Sequence, residues 1–408
     1  MDVLARYYTD QTVSELLVSK FQQDNPGRVL DLGIGCGSLI DAAYKRWKDA
    51  EFYGVDIDRE SLSKISPRLP FVNLIHGDGL LTGLPRKVKI KVGSIDVAVC
   101  NPPYLRMDIT PQLKSLLKDV GLVKSSKLKR ITSDIGFMAQ NLHMLKNGGE
   151  LGIILPDSIF TGHEFAYLRE DILTHHKILA IIQLPDNIFS KTEARTHILL
   201  LEKNSTADSK IPLYRSNKYG QLDSVIRVFH NELLYRMDYS YYAWKKNQKL
   251  PDNFTTMGEV DVEIKRGLYS KKNLQQLGVP FFHTSSFPDS LSSRVKLKDS
   301  FVQNGVITQS GDILIARVGK RSIGRVTIVE SGRQTISDCV YRLRSPKKYR
   351  KLIWQNLISR QGQEWLKAHA HGVCSQVISK RDLLTFPLHY VGTPEAFHNL
   401  AATFERTL

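Results

Sequence analysis

Asn101-Pro102-Pro103-Tyr104 puts a side-chain amide, a main-chain carbonyl and an aromatic ring within four residues. An amide oxygen and a neighbouring carbonyl can accept both hydrogens of an exocyclic amine, and a tyrosine ring can stack on the ring that bears it. That set suits methyl transfer to the amino group of a nucleobase. The four residues follow Ile95–Cys100, an apolar run that reads as a buried strand. Proline has no N–H to give a sheet ladder, so two of them force the chain out of the sheet just after Cys100. The amide then stands at the carboxyl end of a strand, where open α/β sheets bind their ligands.

A second constellation lies upstream. Val29 to Leu39 reads as a strand, a turn with Gly33, Gly35 and Gly37, and the start of a helix. Glycines allow the tight turn and let the backbone approach a ligand closely. The spacing is not GxGxxG and the phosphate-loop lysine is absent, so phosphate cradling is disfavoured. The next strand ends in Gly54-Val55-Asp56-Ile57-Asp58, an acid about twenty residues past the turn, as ribose hydroxyls require. A third strand ends in His76-Gly77-Asp78-Gly79, where the Asp can accept from an adenine amino group. Each acid alone reads as an ordinary surface Asp at a strand end. Together, the glycine turn and the two acids, at three successive strand ends, describe a pocket for an adenosine-bearing cofactor.

The elements that must position these residues alternate. Strand patterns fall at Arg28 to Ile34, Phe52 to Ile57, Val72 to His76, Ile95 to Cys100, Leu151 to Leu155, Ile178 to Leu184 and His197 to Glu202. Helical patterns at Thr12 to Phe21, Leu39 to Trp47 and Phe137 to Leu145 lie among them, the last stopping at Lys146-Asn147-Gly148-Gly149. This predicts an α/β domain with a mostly parallel sheet covered on both faces. The polar run Lys203 to Lys210 is a surface connection; a strand at Ile211 to Arg215 and a helix from Asp223 to Arg236 follow, so the domains are taken as 1–236 and 237–408. The second half carries short strands, glycine turns and one helix from Arg350 to Ala368, a mixed α/β or β-rich domain with no glycine-rich cofactor loop. Arg106 to Ser133 is rich in lysine and reads either as a solvated helix face or as a lid or nucleic-acid-contacting loop beside the site.

Composition bounds the class. The 408 residues are 42% hydrophobic, enough for a sizeable core, and the formal net charge of +16 favours a polyanionic partner such as nucleic acid. The four cysteines, Cys36, Cys100, Cys339 and Cys374, have no CxxC spacing, so a zinc ribbon is disfavoured and no metal site is expected. The N-terminus lacks a signal-peptide layout and no run reaches membrane-span length, so a cytoplasmic protein without a membrane partner is expected.

At these residues the chain resembles S-adenosylmethionine-dependent DNA methyltransferases that modify the amino group of adenine, in the class with cofactor motifs first and target recognition last. The resemblance implies a Rossmann-like seven-stranded methyltransferase sheet with a C-terminal mixed α/β DNA-recognition domain. It implies S-adenosyl-L-methionine held by Asp31, Gly33, Gly35, Gly37, Asp56, Ile57, Asp78, Gly79 and Asn101. Ala5 to Asp10 looks like the segment that closes over the methionine moiety, which adds Tyr8 and Thr9; Asp10 stands where the family often has proline. Asn101, Pro102 and Tyr104 are the implied catalytic residues. Leu184 to Phe189 looks like the family segment whose aromatic residue stacks on the flipped base, here Phe189.

The second half, through Arg236 to Tyr242 and Gly311 to Gly319, resembles one target-recognition domain of type I specificity subunits, with Arg266, Lys271, Lys272, Arg317, Lys320 and Arg321 as its basic residues. The implied partners are double-stranded DNA and a cognate restriction endonuclease. An RNA base amino-methyltransferase, an N4-cytosine DNA methyltransferase, a protein-glutamine methyltransferase and a non-catalytic DNA-binding module remain as alternatives at this point.

Overall fold

The computed structural model describes residues 9–389 except 82, 187, 189–194, 248–253, 320 and 373–375. The chain divides into two compact units, Met1–Ala243 and Trp244–Leu408.

In the first unit the main sheet is built from β1 (Arg28–Leu32), β2 (Glu51–Asp56), β3 (Val72–His76), β4 (Ile95–Cys100), β5 (Leu145–Pro156), β6 (His176–Gln183), β7 (Thr196–Lys203), β8 (Lys210–Arg215) and β9 (Ile226–Phe229), beside a separate antiparallel pair, Arg106–Asp108 with Arg130–Thr132. Their spatial order is β9-β8-β6-β7-β5-β4-β1-β2-β3. The first five strands run parallel, and β7 runs antiparallel to both β5 and β6. Side chains alternate across a strand, so one sheet feeds two cores. Leu30, Leu32, Ala98 and Cys100 face one core with Ile135, Met138 and Leu142, whereas Val29, Val97 and Val99 face the other with Val13, Leu17 and Ile40. Helices α1 (Gln11–Ser19), α2 (Ser38–Arg46) and α3 (Arg59–Ile65) cover the second face, and α5 (Pro111–Asp119), α6 (Ser133–Met144) and α8 (Ala166–His175) the first, with short α4 (Leu84–Val88) and α7 (Asp157–Thr161) between.

Among the described residues the sheet has nine strands rather than seven. The chain read as a helix from Asp223 to Arg236 instead forms β9 and a short 3-10 turn, His230–Leu234. In β9 only Val228 is buried while Arg227 and Phe229 face solvent, a period of two that a free sheet edge can use. Helix α6 ends at Met144, not at Lys146 to Gly149; Leu145 is already extended. Gly148, at φ 73°, lies in an irregularity of β5, whose pairing with β4 jumps from Leu145 opposite Ile95 to Glu150 opposite Val97. The lysine-rich stretch from Arg106 is anchored, because Leu113, Leu116 and Leu117 of α5 are buried in the core.

Residues 237–243, assigned by the sequence reading to the second domain, pack in the first unit. Met237, Tyr239 and Tyr242 are buried in its core, and Arg236 makes a buried ion pair with Asp238 at 2.6 Å. The second unit holds a five-stranded sheet in the order Glu263–Arg266, Val340–Arg344, Ile313–Ala316, Val326–Ser331, Arg294–Lys296. The helix read from Arg350 to Ala368 is two helices, Lys347–Ile358 and Arg360–His369. Ser359 separates them: its backbone is extended and its side chain accepts from the N–H of Gly362, capping the second helix.

Candidate functional site

β1 lies between β4 and β2, so the strand order reverses beside it, and the turns after β1 and β4 leave the sheet side by side. After β1, Gly33, Gly35 and Gly37 all adopt positive φ (82°, 54° and 77°). The turn is tied to β2 through Gly33 and Ile34, whose N–H groups donate to the Val55 carbonyl at 2.8 and 3.0 Å. Gly37 opens α2 in the left-handed region, and a Cβ there would lie 2.5 Å from Leu69 Cδ1. The positive φ and the Leu69 side chain that a Cβ would displace both favour glycine there.

Three acids stand at or just past the ends of three successive neighbouring strands. Asp56 reaches the glycine turn: one carboxylate oxygen accepts the Gly35 N–H and the other the Asp58 N–H, each at 2.8 Å. Each oxygen keeps a second lone pair for a hydroxyl. Ile57 beside it is 52% exposed, an apolar face open to a flat ring. Asp78 accepts the Leu80 N–H at 2.9 Å. Asp31, 1% exposed, is the most constrained, and its Oδ1 has no hydrogen-bond partner. Burial first, and the Asp56 charge second, hold its carboxyl well above the usual carboxylate range. An orphaned buried carboxylate oxygen is a place for a cation.

After β4, Asn101 donates through Nδ2 to Thr9 Oγ1 at 3.0 Å, and the Tyr104 hydroxyl donates toward Asn101 Oδ1 at 3.4 Å. Fixing the amide nitrogen on Thr9 leaves the amide oxygen as the acceptor. The Tyr104 hydroxyl also lies 3.3 Å from the Ile154 carbonyl of β5. Of the sequence-read residues, Tyr8 and Phe189 lie outside the described residues, as does Lys320.

Two residues of α6 escaped the sequence reading. Ser133 Oγ donates to the Pro103 carbonyl and accepts the Leu105 N–H at 3.0 Å, and the Ser133 N–H donates to the Leu105 carbonyl at 2.7 Å. The turn carrying Asn101 is thus clamped from both sides by the first residue of a helix. One turn on, Phe137 lies under both glycine turns: a Cβ at Gly79 would sit 2.7 Å from its Cε1, and one at Gly33 3.6 Å. Residues four apart share a helix face, so one face of α6 meets both halves of the site. A start signal, Thr132-Ser133-Asp134 before an apolar run, was readable, but not what it would touch. Between the two, the Asp134 carboxyl is pushed up to about 6 by burial.

The family model described as N-6 DNA Methylase matches residues 4–276 of this chain. The methylase subunit of the type I restriction enzyme MpnII from Mycoplasma pneumoniae is 26% identical over 227 residues, which is 51% of this chain and 41% of that protein. The type II methyltransferase M.BsuBI from Bacillus subtilis is 22% identical over 328 residues, 70% of this chain and 64% of that protein. Among solved structures, that of the type IIG restriction endonuclease BpuSI superposes with a TM-score of 0.48 at 12% identity, over 97% of this chain and 59% of that one. The chain spans less than half the length of the type I methylase subunits it matches, 41% and 44%.

Proposed function

The chain belongs to the N-6 DNA methylase family, and from that premise we propose that it transfers a methyl group from S-adenosyl-L-methionine to the N6 amino group of adenine in a specific double-stranded DNA sequence. The observation that carries this reading is the adjacency of two turns. The glycine turn after β1 and the Asn101 turn after β4 leave neighbouring strands on the same edge, so a cofactor held by one faces an amine held by the other.

The residues fit that cofactor. Asp31, with its unpartnered buried oxygen, suits a cationic group; Asp56 suits ribose hydroxyls; Asp78, Gly79, Ile57 and the Phe137 ring suit a purine. Thr9, held against Asn101, suits the methionine end; the same role is assigned to Tyr8 from the motif. When bound, S-adenosyl-L-methionine supplies an electrophilic methyl group on a sulfonium.

The chain's own residues do the rest. A base inside a duplex cannot present its amine, so it is flipped out, at a cost of roughly a few kcal/mol. Stacking on Tyr104 and Phe189 returns about 1–3 kcal/mol per ring. Asn101 Oδ1 and the Pro102 carbonyl accept the two amine hydrogens, which draws the nitrogen lone pair out of the ring and aims it. Catalysis is then mainly orientation and electrostatic placement. The second unit is the target-recognition domain, the setting is the cytoplasm, and the partner beyond DNA is a cognate restriction endonuclease.

Single-molecule sequencing of plasmid DNA from cells expressing the chain, beside an Asn101→Ala control, tests this. N6-methyladenine at one short motif, absent from the control, is the expected result. Equal modification in the control removes Asn101 from the chemistry; a modified cytosine changes the target base.

A further inference from the structure

Three loops of the second unit meet at one end of its five-stranded sheet. Arg266 ends its strand opposite Tyr341, and Arg317 follows Ile313–Ala316, whose Ala316 lies opposite Val340. Asp338 precedes Val340–Arg344, the strand between those two. Two arginines from the flanking strands thus converge on one residue at the mouth of the central strand.

Asp338 grips both. Its main-chain carbonyl accepts the Nε–H of Arg266 at 3.0 Å and the Nε–H of Arg317 at 3.2 Å, which uses both lone pairs of that oxygen. Its carboxylate takes Nη2 of Arg266 at 3.2 Å. The carbonyl is itself fixed, because the Asp338 N–H donates to Tyr269 and the Ser337 N–H to Phe282, each at 2.9 Å. The Arg317 guanidinium lies over the Tyr341 ring, 5.8 Å from its centroid.

The two arginines are not equivalent. Arg266 spends one end of its fork on the carboxylate. Arg317 hydrogen-bonds through Nε, and neither terminal nitrogen has a hydrogen-bond partner among the described residues. Burial, and next the Arg266 charge, lower its pKa, so it is a partly desolvated cation with open donors. A guanidinium fixed at Nε presents its two terminal N–H groups as a fork of set direction.

Two ligands match such a fork, a phosphate and the O6/N7 edge of guanine. Fixed direction decides between them: the Asp338 carbonyl holds the Arg317 Nε–H and so sets where the fork points. Phosphates are also served without a buttress by the exposed lysines of the same unit, whereas reading a base edge requires fixed direction.

Resting on the proposed reading of the chain as a DNA methyltransferase, we infer that Arg317 reads a guanine of the recognition sequence through its two terminal nitrogens. Asp338 is the positioning residue that holds it. The test compares full-length wild type with Arg317→Ala, Arg317→Lys and Asp338→Asn by sequencing methylated DNA from expressing cells. The wild-type motif should contain a guanine that Arg317→Ala no longer demands, discrimination at that one position falling on the order of 10- to 100-fold. Arg317→Lys keeps the charge but not the fork and should relax the same position. Asp338→Asn keeps the carbonyl that grips Nε and should relax it less.

A motif without a G·C pair, an unchanged motif with evenly reduced methylation, or wild-type behaviour of Arg317→Lys would overturn the inference. The same purified proteins are also used to select from a random DNA duplex pool. A selected guanine lost in Arg317→Ala supports the contact even where no DNA is methylated, a result that sinks only the transferase reading. Selection of no sequence at all overturns the contact.

Discussion

Asp31 is a carboxylate where water cannot solvate it, and the physics of that position is specific enough to test. Burial and the charge of Asp56 raise its pKa, so the folded chain holds that proton more tightly than the unfolded chain does. Its contribution to stability is therefore full below the unfolded carboxylate pKa and is lost as pH rises through the raised folded value. A cationic ligand beside Oδ1 reverses the preference and expels the proton. Cofactor affinity should accordingly rise with pH up to the raised folded value, with proton release seen by titration calorimetry in buffers of different ionisation enthalpy. Asp31→Asn should bind more weakly and lose that pH dependence. A wild-type affinity that stays flat across the range would remove Asp31 from the cofactor site.

At the scale of elements, α6 does two jobs with one face. Ser133 clamps the Asn101 turn and Phe137 floors the glycine turns one helical turn later. The clamp bonds Pro103 and Leu105 and none of Asp31, Asp56 or Asp78, so its loss should separate two quantities. Ser133→Ala removes two side-chain hydrogen bonds worth about 0.5–1.5 kcal/mol each. If that energy holds the amide in register, kcat falls roughly 10- to 100-fold while cofactor affinity stays near wild type. A parallel fall in both would show that Ser133 merely holds up the whole site.

At the scale of the whole molecule, the +16 formal charge and the proposed polyanionic partner belong together. Binding that runs on phosphate neutralisation releases counterions, so the logarithm of the binding constant falls linearly with that of salt, by about 0.9 per phosphate contacted. Full-length protein titrated with duplex DNA should lose affinity on the order of 10³-fold between about 50 and 200 mM salt, the range expected for several phosphate contacts. A loss below about threefold would mean that charge does not drive association.

Sequence alone determined what neighbouring residues impose on each other. Two prolines end β4 wherever the strand lies, glycines at Gly33, Gly35 and Gly37 adopt the positive φ that other residues avoid, and the alternation of Leu30 and Leu32 with Val29 sets two faces. The parallel strands and the turns after β1 and β4 were legible for that reason. What only the tertiary structure decided involves partners far apart in the chain. Thr9 meets Asn101 across 92 residues, Ser133 reaches back 30 to Pro103, and Asp338 collects Arg266 and Arg317 from two flanking strands. Residues Asp223 to Arg236 went to a strand and a 3-10 turn because β8 offered an open edge, which no local pattern encodes. Local sterics fix a turn in isolation; a clamp exists only once packing has brought its two sides together.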